Sequence, residues 1–154
     1  MVRLSDLPDI EAQHLLAKNG EPLGPAPWVA CGDDLSSRVF ALITTAGIHP
    51  AGATPFESND ATYRVLPGGS NGADFAMSHA SVNFDRTGFQ DDVNIVYPID
   101  RLKEMAANGE IGSVADFHYS FMGATDTDAM EPSARELAGM LKEDGVTAVL
   151  LSPV

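Results

Sequence analysis

Glu131 to Val154 reads EPSARELAGMLKEDGVTAVLLSPV, a helix followed by a strand. Glu131 and Pro132 suit a helix start, where the missing proline N–H costs nothing. Ala134, Leu137, Ala138 and Leu141 then recur at three- and four-residue spacing, and Gly145 supplies the stop. Val146 to Val154 (VTAVLLSPV) is almost wholly apolar and predicts a buried strand. Val39 to Thr45 (VFALITT) is a second such run, rich in β-branched residues, with the pattern of a strand covered on both faces. Strand, helix and strand in alternation predict an α/β fold: an open, mostly parallel sheet with flanking helices. Whether the sheet closes at its last strand or continues, the spacing leaves open.

The remaining segments fit one α/β domain over residues 1–154. Residues 1–38 read as an N-terminal helix and a Pro-rich connector, and residues 39–154 as the sheet core. In the first part, Pro8 opens a helix with a partial stripe at Ile10, Leu15 and Leu16, stopped by Asn19-Gly20. Pro22, Pro25 and Pro27 make the connector extended. Ala46 to Gly72 is Gly- and Pro-rich and reads as a long loop, a feature often tied to function. Asp74–His79 (DFAMSH) and Asn94–Tyr97 (NIVY) suit strands. Asp100 caps a short helix carrying Leu102, Met105 and Ala106, ended by Asn108-Gly109. Asp116–Phe121 (DFHYSF) reads as a strand or the loop beyond one.

Charge narrows the function. Nine Lys and Arg against 22 Asp and Glu give a net charge of −13 across 154 residues. Basic residues come singly, so a phosphate backbone finds no landing patch and nucleic-acid binding is disfavoured. No apolar run approaches the ~18 residues that span a bilayer. One cysteine, Cys31, excludes an internal disulfide and a multi-cysteine zinc site. A reducing cytoplasm fits, with Cys31 incidental. Walker and dinucleotide fingerprints are absent.

Three polar clusters carry candidate chemistry. His79, Ser81, Asn83 and Asp85 alternate with Ala80, Val82 and Phe84, a period of two that lines up four polar side chains. Such a wall offers His79 as proton donor, with Ser81 and Asn83 beside it and Asp85 or Arg86 orienting a substrate. The same pattern also describes an exposed strand face or an Asx-rich turn. His118, Tyr119 and Ser120 unite an imidazole, a phenol and a hydroxyl near a strand end, suited to acid–base work. The competing reading makes Tyr119 and Phe121 core anchors with His118 hydrogen-bonded nearby. Thr44, Thr45 and Gly47 close the first long strand and offer hydroxyl and backbone donors to an anionic ligand. His49, His79, His118 and Asp85 lack the i, i+4 or H-x-H spacing of a metal site, so no metal is expected.

The run from Ser78 to Val154, containing YPIDRL (Tyr97–Leu102), GSVADFHYSFMG (Gly112–Gly123) and DGVTAVLLSPV (Asp144–Val154), closely resembles one family. TTAGIH (Thr44–His49) and TYRVLP (Thr62–Pro67) extend the likeness, which covers most of the chain from about Val39. It resembles the selenoprotein B family of glycine, sarcosine, betaine and D-proline reductases. In that family a T/S-P-V tripeptide is followed at once by selenocysteine, or by cysteine in some members, with a second cysteine soon after.

The resemblance implies that this chain is the family's amino-terminal part, cut at an in-frame UGA directly after Val154. The sheet is then incomplete at its C-terminus, and the chain as written lacks the nucleophile. It further implies reductive cleavage of a C–N bond in a small amino acid or amine. Partner subunits bearing a pyruvoyl group and a thioredoxin-like electron donor complete the system. A selenolate suits the task because it is ionised at neutral pH, the logic that activates catalytic cysteines. Two rivals stand beside this reading: a non-catalytic α/β subunit or binding module, and a metal-dependent enzyme built on His79, Asp85 and His118.

Overall fold

The computed structural model describes residues 3–17, 24, 28–30, 32, 34–81 and 86–154. The chain divides into two units, Met1–Gly32 and Asp33–Val154. The first contains helix α1 (Asp9–Ala17), opened by Pro8, whose carbonyl accepts from the Glu11 and Ala12 amides at 2.9 and 3.0 Å. Ile10, Leu15 and Leu16 are exposed rather than aligned on one buried stripe. At about 100° per residue they point in three separate directions. The expected helix stop, the proline connector and Cys31 lie outside the described residues.

The second unit is assembled on strand β1 (Val39–Thr44). After it come β2 (Ile48–Pro50), β3 (Arg64–Pro67), β4 (Phe75–Met77) and the short helix α2 (Thr87–Asp91). Helix α3 (Ile99–Ala107), strands β5 (Ser113–Val114) and β6 (Phe117–Ser120), helix α4 (Thr127–Glu143) and strand β7 (Ala148–Ser152) complete it. β1 pairs in parallel with β7 along one edge, from Phe40↔Ala148 to Thr44↔Ser152. Its other edge meets β5 at Val39↔Ser113 and then β6 at Ile43↔Tyr119, also in parallel. β3 lies antiparallel on the far side of β6, and β2 with β4 forms a separate antiparallel pair. The class is α/β, with a mostly parallel sheet and flanking helices.

β1 explains the layering. Leu42 packs into a cluster with Leu66, Tyr97, Ile99, Leu102 and Ile111 on one face. Ala41 faces the other way, onto Tyr119, Phe121, Leu137 and Leu141 of a second cluster, with Ile43 packed against it. A strand between two apolar layers has no polar alternation, as its sequence predicts.

Five expectations are corrected. The long Ala46–Gly72 loop contains β2 and β3, and its remainder is tied down by Arg64. That guanidinium donates to the Thr54 and Pro55 carbonyls, pairs with Asp60 at 2.7 Å and lies 4.2 Å above the Phe56 ring. NIVY holds a 3-10 turn, Val93–Ile95, because the Asp92 side chain accepts from the Asn94 amide. The helix expected to be capped by Asp100 is capped from outside: Asn94 Oδ1 accepts from the Asp100 amide at 3.0 Å. The last helix begins a turn earlier than Glu131, at Thr127, with Asp126 accepting from Asp128.

The fifth correction concerns β7. Val149, Leu150 and Leu151 are 40, 39 and 66% exposed, where a buried strand is expected. β7 is paired on one edge only, and among the described residues nothing pairs with the other. Composition records that its residues are apolar; it does not record which neighbours cover them.

Two glycines give opposite predictions. A Cβ on Gly112 would sit 2.7 Å from the Arg38 carbonyl oxygen, whereas one on Gly139, in the exposed interior of α4, meets nothing within 4 Å. Gly112→Ala is expected to cost about 1–3 kcal/mol by crowding. Gly139→Ala should add about 0.5–1 kcal/mol by reducing backbone entropy of the unfolded chain. Urea unfolding of the two variants beside the parent checks both signs.

Candidate active site

Parallel strands β1, β6 and β7 bring their carboxyl ends to one edge, the place where open α/β sheets assemble ligand sites. Thr45 is the junction there. Its amide donates to the Ser152 carbonyl at 3.2 Å, and its Oγ1 accepts from the Val154 amide at 2.8 Å. The Thr45 carbonyl accepts from the Gly123 amide at 2.8 Å, binding the end of β6 to the same point. A Cβ on Gly123 would lie 2.8 Å from both the Thr45 and Val154 carbonyl oxygens. Only glycine lets three backbones meet so closely.

His79 stands behind this junction. Gly47 turns there with φ +66, and a Cβ on it would be 3.1 Å from His79 Cα. The Gly47 amide donates to the Phe121 carbonyl and its carbonyl accepts from Ser78, linking β1, β6 and the His79 segment. His79 is 3% exposed, and its Nδ1 accepts from the Ser81 amide at 3.1 Å. Burial, and then the nearby Arg86 charge, lower the His79 pKa below its ordinary value. Arg86 donates to the His79 and Ser81 carbonyls, clamping that turn. Asn83 and Asp85 lie outside the described residues.

The strand pleat separates the other trio. Tyr119 turns to the α4 layer, its ring edge-on to Tyr63 with centroids 5.6 Å apart, and burial raises its pKa. His118 turns the opposite way, 5.7 Å from the Tyr97 ring. Ser120 and Thr44 are register partners, both 0% exposed; Ser120 donates to the Phe121 carbonyl and Thr44 accepts from the Ala46 amide.

His118 mends a gap in the sheet. Between β5 and β6 the chain bulges through Ala115 and Asp116, leaving the Leu42 amide without a backbone acceptor on that edge. His118 Nδ1 accepts it at 3.0 Å, which makes the ring neutral with its proton on Nε2. Burial first, and the Lys103 charge second, push its pKa down to about 4, with Asp116 acting weakly in the opposite sense.

Elsewhere, a cavity of about 480 Å3 between Phe75, Phe89 and the Asp91–Asn94 turn has two of its three carboxylates engaged: Asp92 and Asp100 both accept from Asn94. Among the described residues no three His, Cys, Asp or Glu side chains gather to hold a metal. No helix among them is long and apolar enough to cross a membrane.

The sequence model described as glycine/sarcosine/betaine reductase selenoprotein B matches residues 23–154. The chain belongs to that family. The D-proline reductase subunit gamma of Acetoanaerobium sticklandii is 33% identical over 135 residues, 85% of this chain and 55% of that protein. The betaine reductase complex component B subunit beta of Peptoclostridium acidaminophilum is 32% identical over 130 residues, 77% of this chain and 28% of that subunit. The glycine reductase complex component B subunit gamma of Carboxydothermus hydrogenoformans is 32% identical over 126 residues, with the same two shares. The chain thus spans about half the length of the first and under a third of the others. No solved structure matches it.

Two features of this selenoprotein B-family site escape a reading of the sequence. Gly123 gives only the weak signal of a glycine at a strand end. Met130, which lies in the first turns of α4 beside Thr45, is missed when the helix is started at Glu131; the cap-forming Asp126 ahead of Thr127 is the signal that places it.

His118 yields a pH prediction. Unfolded, it takes a proton near 6.5; folded, only near 4. Between those values the unfolded chain binds the extra proton, so stability is full above pH 6.5 and drains as pH falls toward 4. The loss is about 3 kcal/mol at ~1.4 kcal/mol per unit. His118→Asn keeps an acceptor for Leu42 and removes the titration. Unfolding followed from pH 7 to 4 should show the parent losing that increment relative to the variant; equal slopes would refute the assignment.

Proposed function

We propose that this chain is the amino-terminal part of a selenoprotein B-type reductase subunit whose selenolate or thiolate follows Val154 directly. The geometry of the strand tip carries the reading: Thr45 grips the Val154 amide through Oγ1 while Gly123 lets β6 close beneath it. A group attached at the next position would stand at the carboxyl edge of β1, β6 and β7, beside the threonine hydroxyl. Family membership supports the chemistry, since the relatives' names are those of D-proline, betaine and glycine reductases.

The chemistry is reductive C–N cleavage in a small amino acid or amine. A bond from carbon to the nucleophile forms as the carbon–nitrogen bond breaks, and the amine leaves with a proton. A second thiol then attacks that selenium or sulfur, its bond to carbon breaks and the carbon takes a proton, leaving a selenenylsulfide or disulfide that a thioredoxin-like dithiol donor in the cytoplasm reduces. Other complex subunits, one bearing a pyruvoyl group that holds the substrate amine, complete the assembly. The contribution of this chain's residues is placement. Thr45 fixes the strand tip, Gly123 and Gly47 keep the backbones close, and the His79 turn closes the rear of the junction. Neutral His118 keeps β1 and β6 in register.

Two measurements test the reading. The codon after Val154 should be UGA or a cysteine codon; UAA or UAG would end the proposal. In a chain carried on through that position with cysteine there, iodoacetate at pH 7 should label it well ahead of Cys31. Thr45→Val should slow that labelling several-fold without unfolding the protein. Labelling confined to Cys31 counts against the idea.

A further inference from the structure

β3 and β7 lie on opposite sides of β1 and differ as edges. β3 ends in Pro67, which has no N–H to offer, and its Arg64 holds the 54–60 segment beside it. β7 reads AVLLS, with no charge, proline or bulge to discourage a further strand. The Ser152 carbonyl accepts from the Thr45 amide, so Ser152 faces β1. By the alternation of a parallel ladder, Val149 and Leu151 turn their N–H and C=O groups outward.

We infer that β7 is an interior strand of the whole protein: the chain beyond Val154 crosses the α4 face and lays a parallel strand against Val149 and Leu151. The inference rests on the proposed continuation past Val154 and adds where that continuation goes.

Direction is the first argument. β6, β1 and β7 run parallel, and the chain passes from β6 over β1 to β7 through α4. α4 packs its Leu137 and Leu141 on the face that Ala41 presents. Parallel crossovers are right-handed, so a step onward in the same direction crosses the same face. Side chains are the second argument. Ala41 pairs with Val149 and Ile43 with Leu151, and such partners point to the same side of a sheet. Val149 and Leu151 therefore lie on the α4 face, where they stand 40 and 66% exposed. A crossover helix landing beside α4 covers these two residues.

Length is the third argument. The match to the D-proline reductase subunit takes in 55% of that protein, so nearly half of it lies outside. A crossover needs only about a dozen residues or somewhat more. The rival occupant is a second copy, its β7 paired with this one about a two-fold axis. Each copy carries a net charge of −13, which opposes that approach.

Hydrogen exchange tests the placement, with the Met1–Val154 chain beside the cysteine-bearing chain carried on through its own reading frame. In the short chain the Val149 and Leu151 amides should exchange freely, while the Leu150 amide, turned toward β1, is protected. In the long chain both should slow by about a hundredfold or more, toward the level of Leu150. Leu151→Lys should leave the melting temperature of the short chain nearly unchanged and lower that of the long chain by several degrees. If the cysteine form of the long chain aggregates, the form with serine at that position gives the same readouts. Freely exchanging Val149 and Leu151 amides in a folded long chain would overturn the inference. So would protection in the short chain that rises with concentration alongside a dimer in sedimentation, because the occupant is then a second copy. UAA or UAG after Val154 would end both ideas. Otherwise they fall separately: a reactive cysteine with open amides defeats only the placement, and protected amides with an inert cysteine defeat only the nucleophile.

Discussion

β1 gives hydrogen bonds from both of its edges and side chains to both of its faces, and the second unit is arranged around that fact. β7 takes one edge; β5 and β6 share the other. The shared edge is imperfect, because Ala115 and Asp116 bulge between the two short strands. A buried amide left open at Leu42 would cost about 1–3 kcal/mol, and a side-chain nitrogen from His118 closes it. The imidazole thus belongs to the ladder as much as any carbonyl does. This also explains why a residue attractive as an acid–base group is so strongly held neutral.

The junction at Thr45 follows from the same strand. Once β1 fixes β6 on one side and β7 on the other, their ends converge, and close convergence requires a residue with no side chain at Gly123 and a positive φ at Gly47. Chemistry at this edge would depend on backbone placement more than on an array of titratable groups. His79 sits buried behind the turn with its Nδ1 already accepting from Ser81.

Much of the fold is legible in residue order. The unbroken apolar run at Val39–Thr44 and the helical spacing of Leu137 and Leu141 announce the sheet and its cover, since both patterns are set by burial. β2 and β3 are not legible: three or four residues among glycines and prolines give no periodicity to count, and their pairing partners are far along the chain. NIVY misleads for a different reason. Its apolar character is real, with Val96 and Tyr97 buried, but a single Asp92 side chain bends it into a turn. At the site, Thr45 is legible as the end of a strand. The separation of His118 from Tyr119 is equally implicit in the two-residue pleat, once DFHYSF is taken as a strand.

Arg64 deserves a last consequence. One guanidinium reaches three carbonyls, a hydroxyl, a carboxylate and an aromatic face, and through Asp60, whose carbonyl accepts from Thr125, it links the segment before β3 to the turn that follows β6. The stretch from residue 51 to 63 resembles a spacer by composition, yet it is fastened at its middle to the framework. Cutting or grafting into it would therefore disturb strand pairing at β3, making this proline-studded tract a poor choice for a permuted terminus or an inserted tag.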